Sequence, residues 1–151
     1  MSLKKYLMLF LILVLFTSCN GNKKNQKTII DKKDIPNKIT LLFVTQPHCP
    51  SCKVLEEKMK LEKPAKLILN YFKIHKINIG EKIPDGLIPP NGTPTVYFLG
   101  YKNELLVEPM VGEKNEERLM MFLNDALYEF KKLYGIDLEK KGDSNETDNN
   151  S

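Results

Sequence analysis

Cys49 and Cys52 stand two residues apart in the stretch Phe43-Val44-Thr45-Gln46-Pro47-His48-Cys49-Pro50-Ser51-Cys52-Lys53, where an apolar run breaks and a helix-like stretch opens. That spacing lets the two sulfurs reach each other, so the pair either cycles between dithiol and disulfide or supplies half of a metal site. Pro50 suits the first helical position, where a missing N–H costs nothing, and this puts Cys49 at the N-cap. There the unpaired N–H groups and the positive end of the helix dipole stabilise a thiolate. Such surroundings depress a cysteine pKa from about 8.5 to about 3.5–7.5. Cys49 is therefore the expected attacking thiol. Cys52, one turn further in and less exposed, suits the resolving role: it attacks the mixed disulfide and releases the substrate. His48 and Lys53 flank the pair with positive charge and Ser51 fills it, although His48 reads equally well as a solvated loop residue.

A second feature lies about forty residues downstream, where Gly92-Thr93-Pro94-Thr95 leads into the strand-like Val96-Tyr97-Phe98-Leu99. A strand, a CxxC pair opening a helix, and then a Thr-Pro before another strand together resemble the thioredoxin superfamily. The resemblance runs from about Ile39 to Tyr134, with Lys76-Ile77-Asn78-Ile79 as the strand before the proline loop and Val111-Gly112 matching the glycine that ends the last hairpin. It implies a cis Pro94 packed beside the disulfide, and a Thr93-Pro94 backbone that hydrogen-bonds an extended substrate. It also implies thiol–disulfide exchange with protein substrates and no cofactor.

Two positions depart from cytosolic thioredoxins: Phe43 stands where they carry a buried aspartate, and His48 where they carry tryptophan. Without that acid, a thioredoxin-style proton relay to the second thiol lacks its usual member. The Cys-Pro-Ser-Cys pair and the Thr before the proline are more similar to extracytoplasmic members, including the catalytic domains of Dsb-type disulfide isomerases.

The elements needed to position these residues are legible in outline. Ile39 to Thr45 is a continuous β-branched and apolar run, as in a strand buried on both faces. A helix is expected from the CxxC to about Lys63, with Val54, Leu55 and Met59 inward and Glu56 and Lys60 paired on its surface. Pro64 interrupts it, and a second helical stretch follows with Ala65, Ile68, Leu69 and Phe72 on one face. Ile74 to Ile79 reads as a strand, and Gly80 to Gly92, with Pro84, Pro89 and Pro90, as a rigid loop beside the substrate groove. Thr95 to Leu99, the turn Gly100 to Asn103 and Glu104 to Val107 form an expected hairpin. Leu119, Phe122, Leu123, Ala126, Leu127, Phe130 and Leu133 recur at helical spacing from about Lys114 to Tyr134. The expected fold is α/β and thioredoxin-like, a mixed sheet of about four strands with helices on both faces.

The chain has 151 residues, 42% apolar and 28% charged, enough for one globular domain over 39–134. Lys4-Lys5, the apolar run Tyr6 to Phe16 and Thr17-Ser18 read as a signal peptide over 1–18, too short in its apolar part to span a bilayer. Leu15-Phe16-Thr17-Ser18-Cys19 resembles a bacterial lipobox with lipidation of Cys19; an ordinary secretory signal with a stray cysteine is the alternative. Residues 19–38 then form a lysine- and asparagine-rich tether to the membrane. Without Lys4 and Lys5 the chain counts 21 basic against 19 acidic residues, too weak a surplus for a nucleic-acid partner. The tail 135–151 is polar and acidic and reads as disordered, with Asn145 in an Asn-Glu-Thr glycosylation acceptor that chance also explains.

The whole reads as a monomeric, lipid-anchored oxidoreductase on the periplasmic or extracytoplasmic side, exchanging with protein thiols and a membrane redox partner. Its direction leans to reductase or general oxidoreductase, because the chain has no room for the dimerisation domain that Dsb-type isomerases usually add. The alternative is a metal-binding or metallochaperone lipoprotein using the same thiols. His75 could join such a site, but two Cys with one or two unplaced His lack a second closely spaced ligand pair, and a strand-surface histidine is the other reading.

Overall fold

The computed structural model describes residues 31–143. Residues 1–18, Cys19 and Asn145 lie outside them. The continuous apolar run forms β1 (Ile39–Thr45), buried along nearly its whole length. Helix α1 (Pro50–Met59) follows the cysteine motif, and α2 (Glu62–Tyr71) leads into strand β2 (Phe72–Asn78). After a long loop come β3 (Thr95–Leu99), a short 3-10 turn at Tyr101–Asn103, β4 (Met110–Val111), α3 (Glu116–Tyr134) and α4 (Leu138–Asp143). No helix among the described residues is long and apolar enough to cross a membrane.

The sheet runs β2-β1-β3-β4. β1 and β2 are parallel, with Ile39 level with Phe72 and Thr45 with Asn78, whereas β3 is antiparallel to both β1 and β4. The mixed four-stranded sheet is as expected. Among the described residues, however, the helices pack on one face only. Ile39, Leu41 and Phe43 of β1, with Val96 and Phe98 of β3, join one cluster with Leu55 of α1, Ile68 of α2 and Leu119, Leu123, Ala126 and Phe130 of α3. The alternate residues Leu42, Val44, Tyr97 and Leu99 face the other way, and Ile83 and Leu87 of the loop after β2 pack on them. The pleat sends successive side chains to opposite faces, and on the second face a loop takes the place of a helix.

Local chemistry explains the other differences. The first helix ends at Lys60, and Leu61 turns extended (φ −62°, ψ 150°) to start the second. Pro64 therefore falls in the first turn of α2, where no N–H is required of it, and does not itself break the chain. Cys52, Leu55 and Met59 form the buried stripe of α1, which leaves Val54 exposed. Glu56 pairs with Lys76 of β2, not with Lys60. Helix α2 buries Pro64 and Ile68, whereas Leu69 points outward at 72% exposure, and Phe72 has left the helix to begin β2. In the expected hairpin, 104–107 make only one bridge, Leu99 to Leu105, and the strand that pairs with β3 is β4.

On α3, Leu133 is exposed and Tyr134 is buried in its stead, its ring edge-on to Phe130 at 4.7 Å. The order does not stop there. Gly135 caps α3 in the left-handed region (φ 65°), and the N–H of Gly135 donates to Lys131 O at 2.8 Å. Ile136 and Leu138 are then buried in the main core, and Lys131 pairs with Asp137 at 2.8 Å. The disordered tail expected from residue 135 is thus wrong for 135–143: two apolar side chains in an otherwise polar stretch suffice to dock it. At the other end Ile35 also packs against the core, so the fold begins before Ile39.

Candidate active site

β1 ends at Thr45, and the chain crosses an exposed turn, Gln46-Pro47-His48, before α1 begins. His48 takes a left-handed conformation (φ 56°) that aims the chain into the helix, and its side chain is exposed. Cys49 is the N-cap, with extended backbone, and Pro50 occupies the first helical position. The sulfur of Cys49 does the work that Ser or Asp does at other helix starts: it accepts the N–H of Cys52 at 3.2 Å. Cys49 and Cys52 are joined in a disulfide with Cα atoms 5.3 Å apart. Both are buried, Cys49 at 5% exposure and Cys52 at 2%. Ser51 is half-buried and Lys53 exposed, and the N–H of Lys53 donates to Cys49 O at 3.3 Å. Helix α1 has no acid in its first turn, so its positive end faces the sulfurs unopposed.

The second half of the site comes from the loop before β3. The Thr93–Pro94 peptide is cis. The Thr93 hydroxyl lies 3.5 Å from Cys49 Sγ and is the donor, since a disulfide sulfur has no hydrogen to give. Three contacts fix this loop. Thr95, buried, donates its hydroxyl to Gly92 O at 2.8 Å. The N–H of Gly112, just past β4 and at φ 77°, donates to Pro94 O at 2.8 Å. Tyr97 donates its hydroxyl to Ile88 O at 2.7 Å and so ties the proline-rich loop to β3; burial pushes this phenol above its ordinary pKa.

The structure thus brings Cys49, Cys52, Thr93 and Pro94 together, with Pro50, Ser51, Lys53 and His48 around them. Thr95 and Tyr97 are supports that sequence reasoning missed. Their signal was available, as hydroxyl side chains inside an apolar strand that must find partners when buried. His75 is on β2, exposed, beside a separate cleft lined by Thr40, Leu42, Lys82 and Leu99. Among the described residues no three His, Cys, Asp or Glu side chains gather as a metal site would need. What this arrangement can do is thiol–disulfide exchange, through a sulfur pair that opens and closes at a helix start.

The strand order, its one parallel and two antiparallel pairings, the cysteine pair opening the first helix and the cis proline opposite it give the chain a thioredoxin-like fold. No protein-family model matches the chain, and no curated protein matches it either. Among solved structures it is similar to the reduced form of the periplasmic thioredoxin SoxS from Paracoccus pantotrophus, at 19% identity over 65% of this chain and 97% of that one, with a TM-score of 0.43. It is also similar to a disulphide isomerase from Xylella fastidiosa Temecula1, at 18% identity over 70% of this chain and 79% of that one, with a TM-score of 0.38.

Proposed function

We propose that the chain is an extracytoplasmic thiol:disulfide oxidoreductase that acts on protein substrates, as a reductase or general oxidoreductase. The observation that carries this reading is the placement of Cys49 Sγ, which caps α1 through the Cys52 N–H and lies against Thr93 beside the cis proline. In the reducing direction the Cys49 thiolate attacks a substrate disulfide. A Cys49–substrate S–S bond forms, the substrate bond breaks, and the released sulfur takes a proton. Cys52 then gives up its proton and attacks Cys49 Sγ, which closes the Cys49–Cys52 disulfide and frees the second substrate thiol. Two electrons pass to the substrate, and a membrane redox partner restores the dithiol. The Thr93–Pro94 backbone holds the substrate strand in register with the sulfurs. The protein works as a monomer, held at the membrane by a lipid on Cys19 after removal of residues 1–18.

The test is covalent trapping. Cys52→Ala leaves Cys49 unable to resolve its adducts, so the variant accumulates mixed disulfides that dithiothreitol releases, and Cys49→Ala accumulates none. Equal and negligible adducts from both variants would remove the enzyme reading.

A further inference from the structure

The end of the sheet opposite the disulfide carries a surface that disulfide exchange does not use. Because β1 and β2 are parallel, Lys73 and Ile74 lie level with the start of β1, and the cysteines follow its other end. Seven strand residues put about 20 Å between those ends. Here Leu69 is 72% exposed and Ile74 47%, and Leu61 is exposed at the start of α2. Leu69 and Ile74 share a groove of about 420 Å³ with Met59 and Ile68, flanked by Lys60 and by the Glu56–Lys76 ion pair.

Charge is concentrated on the same elements. From Lys58 to Lys76 the chain has six lysines and a single acid, Glu62. From Ile79 to Asp143 the balance reverses, to 8 basic against 12 acidic residues. Lys60, Lys63, Lys66 and Lys73 are exposed, whereas Lys76 is engaged by Glu56, and Lys66 stands one turn from Leu69 on the outer side of α2. Lysines around protruding aliphatic side chains match an anionic lipid surface, where the cations meet headgroups and the apolar tips enter the acyl boundary. The described chain also enters here: Lys38, just before β1, donates its ammonium to Leu69 O at 2.7 Å.

We propose that the face formed by α2 and the start of β2 docks on anionic lipid headgroups, with Leu69 and Ile74 inserted and the disulfide held outward. The inference goes beyond the exchange reading and does not depend on it. Electrostatic attraction of this kind contributes about fivefold in affinity per lysine and weakens with salt.

Lysine acetylation of the full chain, read by mass spectrometry, tests it. The probes are vesicles of phosphatidylcholine alone and of phosphatidylcholine with phosphatidylglycerol. Vesicles with phosphatidylglycerol should slow modification of Lys63, Lys66 and Lys73 several-fold relative to Lys102 and Lys132, and neutral vesicles should leave that ratio as it is without lipid. Lys66→Glu with Lys73→Glu should abolish the protection that remains readable at Lys63, and Lys66→Gln alone should weaken it at Lys63 and Lys73 if the double variant does not fold. An unchanged ratio on anionic vesicles, or equal protection by neutral ones, would overturn the proposal. Protection that rises with protein concentration in the absence of lipid would also overturn it, since a second copy would then be the occupant.

Discussion

Reduction of the Cys49–Cys52 disulfide should lower the stability of the fold by about 1–1.5 kcal/mol. The main term is entropic. Closing a loop of sequence separation 3 removes about 6 cal/mol/K from the unfolded chain, or about 2 kcal/mol at room temperature. Against this, a Cys49 thiolate at the positive end of α1 stabilises the reduced fold by about 0.3–1 kcal/mol. The Cys52 N–H, 3.2 Å from the sulfur in the disulfide form, is taken to serve that sulfur in either state, so its contribution largely cancels. By the thermodynamic cycle the folded pair then has a potential about 20–30 mV more negative than the same cysteines in the unfolded chain. That sign suits an electron donor. The assay is urea unfolding of the oxidised chain and of the chain held reduced by dithiothreitol, at neutral pH, followed by circular dichroism. A reduced form that is the more stable of the two would refute the reasoning and make the pair an oxidant.

The further predictions concern the seam between α3 and the turn after β3. Tyr134 accepts the N–H of Tyr101 at 3.0 Å and donates to Glu104 at 2.8 Å, so Tyr134→Phe should cost about 1–2 kcal/mol in urea unfolding. The Tyr134 phenol is pushed up to about 12, by burial first and then by its bond to Glu104. A raised pKa stabilises fully below the ordinary tyrosine value of about 10 and is lost as pH climbs through the folded value. The wild-type chain should therefore lose stability between about pH 10 and 12 more steeply than Tyr134→Phe, and parallel curves would contradict this. Gly100→Ala would put its Cβ 2.5 Å from the Tyr134 hydroxyl and 3.0 Å from a Leu106 methyl, which should cost about 1–3 kcal/mol. Combined with Tyr134→Phe the cost should be smaller than the sum, and strict additivity in the double-mutant cycle would show that the hydroxyl is not what crowds that position.

What the sequence made legible was set by local chemistry. β1 and β3 were bounded at the residues the structure gives, because each is an unbroken apolar and β-branched run between turn signals. The site was legible for the same reason, since Pro50 at the first helical position and Thr93–Pro94 before a strand are decided within a few residues. The misplaced features were those settled by distant parts of the chain. Phe72 fits the helical spacing of α2, yet pairing with Ile39 claims it for β2. Leu69 has the residue type of a core position, and only the direction in which α2 lies against α3 leaves it outside. Ile136 and Leu138 are isolated apolar residues in a polar tail, too few to show a period, and the core cluster they join is assembled from the sheet and the three preceding helices. Nothing local says that a loop covers the second face of the sheet; that follows from where Ile83 and Leu87 land.

The loop from Gly80 to Pro94 fastens itself to the sheet through Ile83 and Leu87 near its beginning, and offers Thr93 and Pro94 to the disulfide at its far end. Between Leu87 and Thr93 lie Ile88, Pro89 and Asn91, all exposed. Insertions and exchanges in that span would leave the helical face untouched, since among the described residues no helix rests on this side. The cysteine pair and this exposed stretch are therefore separately heritable pieces, and a graft of 88–91 would rewrite the one without disturbing the other.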